Sequence, residues 1–130
     1  MSFGKLVTAT ALVLLLAACQ SSPLQQVYTD PVPYNLTPKQ MEQAILDAGT
    51  NRGWLMTLQA PGKIHAELNI RSHKVVTMLT YNPQSFAITY VDSVNMDAKK
   101  GKIHRQYGNW VNNLRQDIRL KMNQASLSNR

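Results

Sequence analysis

The strongest hydrophobic pattern lies near the C-terminal end of the chain. Its apolar residues recur at helical intervals of three and four, with one adjacent pair, and are Ile103, Tyr107, Trp110, Val111, Leu114 and Ile118. Such intervals place side chains along one face of an α-helix. The pattern therefore predicts a helix of about 18–21 residues. Residues 124–130 are expected to fray beyond it.

Two further patterns precede this helix. Thr37, Pro38 and Gln40 form a capping-box sequence with proline at the first helical position, which predicts a helix over about 38–51. From Trp54 to Ser93 the period changes, and residues 63–71 alternate between apolar and polar side chains. Four neighbouring runs joined by short turns predict an antiparallel meander, because parallel strands need long crossovers.

These elements predict one α+β domain over 37–123, in the order αββββα. We expect a four-stranded antiparallel meander sheet with the N-terminal and the C-terminal helix packed on one of its faces. Residues 20–36 contain three prolines and show no regular periodicity. The segment 19–36 is therefore predicted to be an extended tether.

The first 18 residues are typical of a secretory signal peptide. Lys5 is followed by an uncharged run over 6–18, which is shorter than the roughly 20 apolar residues that a membrane-spanning helix needs. The alternative, a buried N-terminal helix, would place a continuous apolar helix directly before Ser, Pro and Gln. We predict that residues 1–18 are removed.

The tetrapeptide Leu16-Ala17-Ala18-Cys19 resembles the lipobox of bacterial lipoproteins. The resemblance implies cleavage after Ala18, a thioether-linked diacylglycerol on Cys19 and an acyl chain on the new amino group. Two or more acyl chains anchor a protein stably. The next residue is Gln20 rather than aspartate, which by the same resemblance favours the periplasmic face of the outer membrane. Cys19 is the only cysteine, so an intramolecular disulfide is impossible.

The segment "IHRQYGNWVNNLRQDI", after a strand ending "ITYVDS", is similar to small uncharacterised lipoproteins of Gram-negative bacteria. The similarity covers roughly residues 38–120. It implies that Tyr107, Asn109, Trp110 and Leu114 belong to the structural framework, and it brings no established activity.

The charge of the chain favours acidic partners. Once Lys5 is removed with the signal peptide, 13 Lys and Arg residues face 7 Asp and Glu residues, a net charge of +6. Such a balance favours anionic lipid headgroups, lipopolysaccharide phosphates or acidic proteins. Export argues against nucleic acid as a partner. A solvated basic face without a particular partner is the alternative.

The sequence offers little catalytic or metal chemistry. His65 and His73 are expected on one strand, roughly 26 Å apart, which is too far to share a metal ion. His104 is expected to start the last helix among cations. No serine lies in a G-x-S-x-G setting, and the acidic residues show no spacing typical of a paired-carboxylate site. We therefore predict no catalytic residues, no metal and no cofactor beyond the acyl groups on Cys19.

The segment over 92–111 leaves two interpretations open. It could form a groove for a phosphate or an acidic peptide at the start of the last helix. It could equally be a polar loop whose Ser and Asp side chains cap that helix.

Three function hypotheses remain. The favoured one is a lipid-anchored, periplasmic-facing binding or assembly accessory that contacts the membrane and an envelope protein or anionic component. Its candidate binding surface comprises His65, Glu67, Asn69, Arg71, Lys99, Lys100, Lys102 and Arg105. The alternatives are a structural envelope protein that binds anionic lipid or peptidoglycan by charge, and an enzyme with a dispersed site.

Overall fold

The computed structural model describes residues 20–130. The expected signal peptide and Cys19 lie outside these residues. In chain order the elements are β1 (Ser21–Pro23), β2 (Val27–Pro31), α1 (Pro38–Asn51), β3 (Leu55–Ala60), β4 (Lys63–Ile70), β5 (His73–Asn82), β6 (Ser85–Val94), β7 (Lys102–His104) and α2 (Gln106–Leu127). The predicted α+β class is confirmed.

The main sheet has five antiparallel strands in the order β2-β6-β5-β4-β3. The four predicted strands are β3 to β6, and they form the expected meander. The predicted strand number is nevertheless wrong, because β2 adds a fifth strand beside β6. A separate two-stranded sheet joins β1 to β7.

The tether predicted over 19–36 is wrong for much of its length, since β1 and β2 lie within it. Pro23 and Pro31 each end a strand, a position that tolerates the missing N–H group. In β2 the buried positions are Tyr28 and Asp30, and a buried aspartate conceals the alternation that would have indicated a strand. The folded domain therefore begins at about residue 21 rather than at Thr37.

Helix α1 has the predicted bounds because its start is fixed by its own side chains. Thr37 Oγ1 accepts a hydrogen bond from Gln40 N at 3.1 Å, and Gln40 Oε1 accepts one from Thr37 N at 3.0 Å. This reciprocal capping box satisfies two N–H groups at the start of the helix. The buried face of α1 comprises Met41, Ala44, Ile45, Ala48 and Gly49.

Helix α2 starts later and ends later than predicted. Ile103 and His104 belong to β7, so His104 does not start the helix. The helix continues to Leu127, which corrects both the domain end at 123 and the frayed tail over 124–130. After the helix, Asn129 Nδ2 donates to Asn35 O at 2.9 Å, so the chain end is held against the segment before α1.

One hydrophobic core lies between the sheet and the two helices. Its fully buried members include Ile45 from α1, Ile64, Leu79, Phe86 and Ile88 from the sheet, and Val111, Leu114 and Ile118 from α2. Trp54 is buried, whereas Tyr90 and Trp110 are only partly buried. Residues 20–130 contain this core and every strand pairing described above.

Candidate functional site

One face of the five-stranded sheet points away from the core. The alternation of β4 places His65, Glu67 and Asn69 on this face, as the sequence predicts, while Ile64, Ala66 and Leu68 are buried beneath it. Opposite residues of neighbouring strands share a face. The same surface therefore also carries Thr57, Met78, Thr89 and Val27, which form a row with His65 across the sheet. We call this surface the uncovered face, because no element within residues 20–130 packs on it.

Glu67 is the one acidic residue of the predicted surface on this face. Asn69 Nδ2 donates to Glu67 Oε2 at 2.9 Å, and Lys74 Nζ lies 3.3 Å from Glu67 Oε1. The hydrogen bond from Asn69, followed by that from Lys74, lowers the pKa of the Glu67 carboxyl. Glu67 therefore remains ionised and engaged at neutral pH.

Arg71 does not share this surface. It lies in the two-residue turn between β4 and β5, with a φ of 56°. The turn contacts the loop after β6, since Asn95 Nδ2 donates to Ser72 Oγ at 2.7 Å and Asn95 O accepts from His73 Nδ1 at 2.6 Å. These bonds place Arg71 at the end of the molecule where β7 lies.

Four predicted cations gather at the same end. Lys99 and Lys102 exchange two backbone hydrogen bonds of 3.0 Å around a tight turn. Lys100 and Gly101 occupy that turn with φ values of 52° and 73°, the left-handed conformation that such a hairpin requires. We call Arg71, Lys99, Lys100, Lys102 and Arg105 together the basic end. All five are exposed, and none forms an ion pair with a residue of 20–130.

The start of the described chain is attached to the basic end. Ser21 pairs with His104 and Pro23 with Lys102 in the small sheet. Gln20 O accepts a hydrogen bond from Arg105 N at 3.2 Å, and Leu24 N donates to Gly101 O at 2.8 Å. The residue that follows Cys19 is therefore fixed beside the cations. Sequence reasoning missed this because the pairing of β1 with β7 joins two segments about 80 residues apart.

An open groove of about 340 Å³ lies at this junction. Its lining comprises Gln20, Ser21, Asp97, Lys99, Lys100, Lys102 and His104. Three lysines against one aspartate give the groove a positive balance, which suits an anionic group.

The histidines are arranged differently from the prediction. His65 and His73 lie on different strands, and His73 instead faces His104, with 5.5 Å between the ring centroids. His104 Nδ1 accepts from Gln106 N at 3.2 Å. The N-cap residue of α2 is Arg105, which makes no side-chain capping bond, so the Ser and Asp residues of the preceding loop do not cap this helix. Over residues 20–130, no group of three or more His, Cys, Asp or Glu side chains is arranged to hold a metal ion.

A buried ion pair that the sequence did not indicate joins β2 to α2. The side chain of Asp30 is 4% exposed and accepts hydrogen bonds from Arg115 Nε at 2.7 Å and Nη2 at 3.0 Å. Arg119 Nη1 lies 3.5 Å from the same carboxylate. The guanidinium of Arg115 also stacks on Tyr28, 5.1 Å from the ring centroid. The hydrogen bonds to Asp30 raise the pKa of Arg115 above its ordinary value.

Comparison with known proteins gives no further guide to the site. No protein-family model matches the chain, and no curated protein is significantly similar to it. Within residues 20–130, neither helix is long and apolar enough to span a membrane.

Proposed function

We propose that this chain is a lipid-anchored lipoprotein of the bacterial cell envelope that acts as a non-catalytic binding or assembly accessory. In this proposal Cys19 carries the diacylglycerol and the N-linked acyl chain, and the domain lies on the periplasmic face of the outer membrane. The observation that carries the proposal is the uncovered face of the sheet, which leaves a broad surface accessible on a domain fixed at one end.

The composition of the uncovered face supports a protein partner. Its polar centre contains His65, Glu67 and Asn69, and exposed apolar side chains lie around it. Leu55, Val27 and Val94 are 60%, 46% and 55% exposed, and all three belong to this face by their strand pairings. Apolar side chains beside hydrogen-bonding groups are typical of a protein interface.

A charge-based envelope role remains the second candidate, and the basic end favours it. Its five cations lie beside the residue that follows the proposed anchor. Anionic lipid or peptidoglycan would both offer acidic groups to this end. The two candidates use different surfaces, so variants of one surface can be tested without changing the other.

The anchor is tested on the mature protein isolated from bacterial membranes. Intact-mass analysis should show a chain that starts at Cys19 and carries the mass of three acyl chains. Cys19→Ser should abolish incorporation of labelled palmitate, because the thiol is the acylated nucleophile. An unmodified thiol, or labelling that persists in the variant, would overturn the anchor.

The partner surface is tested by photocrosslinking in cells. A photoreactive residue at His65 should give a discrete, salt-resistant adduct with one envelope protein. The matched control is the same residue at Leu120, which is 55% exposed on α2 and lies outside the uncovered face. Identical adducts from both positions, or no adduct from His65, would contradict the accessory role.

A further inference from the structure

The distribution of ion pairs distinguishes the basic end from the rest of the domain. Five cations of the described residues pair with carboxylates, and these are Lys39, Arg52, Lys74, Arg115 and Arg119. The other eight cations within residues 20–130 form no ion pair, and five of those eight make up the basic end. Asp97 is the one carboxylate in the groove there. Uncompensated positive charge is thus concentrated at one pole.

That pole coincides with the proposed attachment point of the acyl chains. Gln20, which follows Cys19 in the sequence, carries the carbonyl that accepts a hydrogen bond from Arg105 N. Ser21 already belongs to β1. From residue 20 onwards the chain is therefore part of the domain and does not form a flexible spacer.

We propose that the basic end is a docking surface for the phosphate groups of an anionic bilayer, and that it holds the domain upright with its sheet projecting from the membrane. The inference rests on the proposed anchor for its biological setting. One basic patch combined with acyl chains is a recognised two-signal mode of membrane attachment. Here both signals occupy the same pole.

The backbone holds the cations in position before any lipid binds. The hydrogen bonds between Lys99 and Lys102 close the turn, and the pairing of β1 with β7 fixes the turn to the domain. Arg71 is held through Ser72 by its bond with Asn95. Little backbone ordering is needed on binding, which favours a preformed surface.

The orientation follows from the placement of the turns. The turn between β4 and β5 lies at the basic end, so these long strands run from this pole toward the opposite one. A bilayer under the basic end would leave the uncovered face perpendicular to the membrane and open to a partner. The proposed accessory surface and the proposed docking surface therefore do not compete.

The test uses residues 20–130 without acyl groups and vesicles of phosphatidylcholine with or without phosphatidylglycerol. The test variant is Lys99→Gln/Lys100→Gln/Lys102→Gln/Arg105→Gln. The matched control, Lys39→Gln/Lys63→Gln/Lys121→Gln/Arg130→Gln, removes the same charge elsewhere.

We expect phosphatidylglycerol-dependent binding that the test variant weakens by about 100-fold or more, because each cation near an anionic surface adds to the attraction. The control should change binding by less than about 10-fold. Both variants should keep the wild-type thermal unfolding midpoint.

Three outcomes would overturn the docking surface. Equal losses in the two variants would show that net charge alone is responsible. Binding to pure phosphatidylcholine would show that anionic headgroups are not needed. Inhibition by inorganic phosphate at fixed ionic strength would instead identify a site for small anions. Because the acyl chains are absent from this assay, its failure leaves the anchor to be judged by the Cys19→Ser experiment.

A second measurement uses the lipidated full-length product in proteoliposomes. Backbone amides of residues 97–105 should exchange more slowly with deuterium on phosphatidylglycerol-containing bilayers than on phosphatidylcholine alone. Equal exchange on both bilayers would overturn the upright, headgroup-bound orientation.

Discussion

The two edges of the sheet are protected in different ways. At the β2 edge, the strand sends Asp30 inward to Arg115 and Arg119 of α2, and it ends at Pro31. The next residue continues the contact, since Val32 N donates to Gln84 O at 2.8 Å. A buried charge pair thus joins this edge to a helix on the other side of the core.

The β3 edge has no such buried ion pair. Five of its six residues are exposed, and the strand contains no charged residue. Its register shifts between Leu58 and Ala60, an irregularity that disturbs the edge and discourages pairing with another chain. Met56 is the inward side chain that packs on the core. The comparison indicates that β2 is fixed by buried electrostatics, whereas β3 depends on local shape.

The largest expected effect comes from breaking the buried ion pair between β2 and α2. Asp30→Ala removes the partner of a partly buried guanidinium, and we expect the free energy of unfolding to fall by about 3 kcal/mol. Asp117→Ala is the matched control, because its pair with Arg52 has side chains 28% and 44% exposed. The control should lose less than about 1 kcal/mol. Urea unfolding measures both, and equal losses would show that burial does not strengthen the ion pair that joins β2 to α2.

The next effect concerns how β3 is held to α1. A Cβ atom on Gly49 would overlap the end of the Met56 side chain. Gly49→Ala should therefore lower the free energy of unfolding less in a Met56→Ala background than in the wild type. The difference between the two backgrounds should be about 1 kcal/mol. A double-mutant cycle by urea denaturation measures it. Additive effects would show that this contact does not hold β3.

An effect of similar size but opposite sign is expected from a buried hydroxyl on α2. Tyr107 Oη is buried without a hydrogen-bond partner among residues 20–130, and burial raises the pKa of this phenol. Tyr107→Phe removes the unsatisfied hydroxyl and should raise the free energy of unfolding by about 1 kcal/mol. Tyr90→Phe is the control, since Tyr90 Oη lies 2.7 Å from Ser93 Oγ and should lose stability instead. A destabilised Tyr107→Phe would mean that the hydroxyl is satisfied after all.

A positive charge placed on either edge should show which edge is less protected, without unfolding the domain. Thr57 on β3 and Thr29 on β2 are both exposed. Thr57→Lys and Thr29→Lys should each change the free energy of unfolding by less than about 0.5 kcal/mol. At high protein concentration, Thr57→Lys should suppress self-association more than Thr29→Lys, since lysine blocks an unprotected edge. Light scattering measures this, and equal suppression would contradict the weaker protection of β3.

The smallest effect is a titration beside β3. In the folded protein the pKa of the Glu67 carboxyl should lie below its ordinary value, and Asn69→Ala should raise it toward that value. Because the folded-state pKa is lowered, any stabilisation from Glu67 is present above the unfolded-state pKa. It is lost as the pH falls through the folded-state pKa. Carboxyl NMR measures the titration, and an unchanged pKa in the variant would remove Asn69 as the main cause.

Local patterns predicted the parts of the fold that local chemistry determines. The capping box at Thr37 and Gln40 places α1 correctly, and the alternation of β4 assigns His65 and Ile64 to opposite faces. Strands β1 and β7 have three residues each, too few to show a period. Strand β2 was hidden because Asp30 occupies a core position that a sequence pattern reserves for apolar residues.

The candidate site was predicted less completely than the fold. The lysines and Arg105 are close in sequence, so their grouping was visible. Arg71 joins them only because a turn and the bonds of Asn95 bring its hairpin to the same pole. The position of Gln20 depends on a pairing with β7, and no local signal encodes such a long-range contact.

The pairing of the first strand with the last sets an order in which the strands can assemble. If the chain crosses the membrane from its N-terminal end, residues 21–23 have no partner until residues 102–104 have emerged. Through that interval β1 lacks its hydrogen-bonding partner. Closure of the small sheet therefore waits for β7, so the first strand completes its pairing only after most of the chain has emerged.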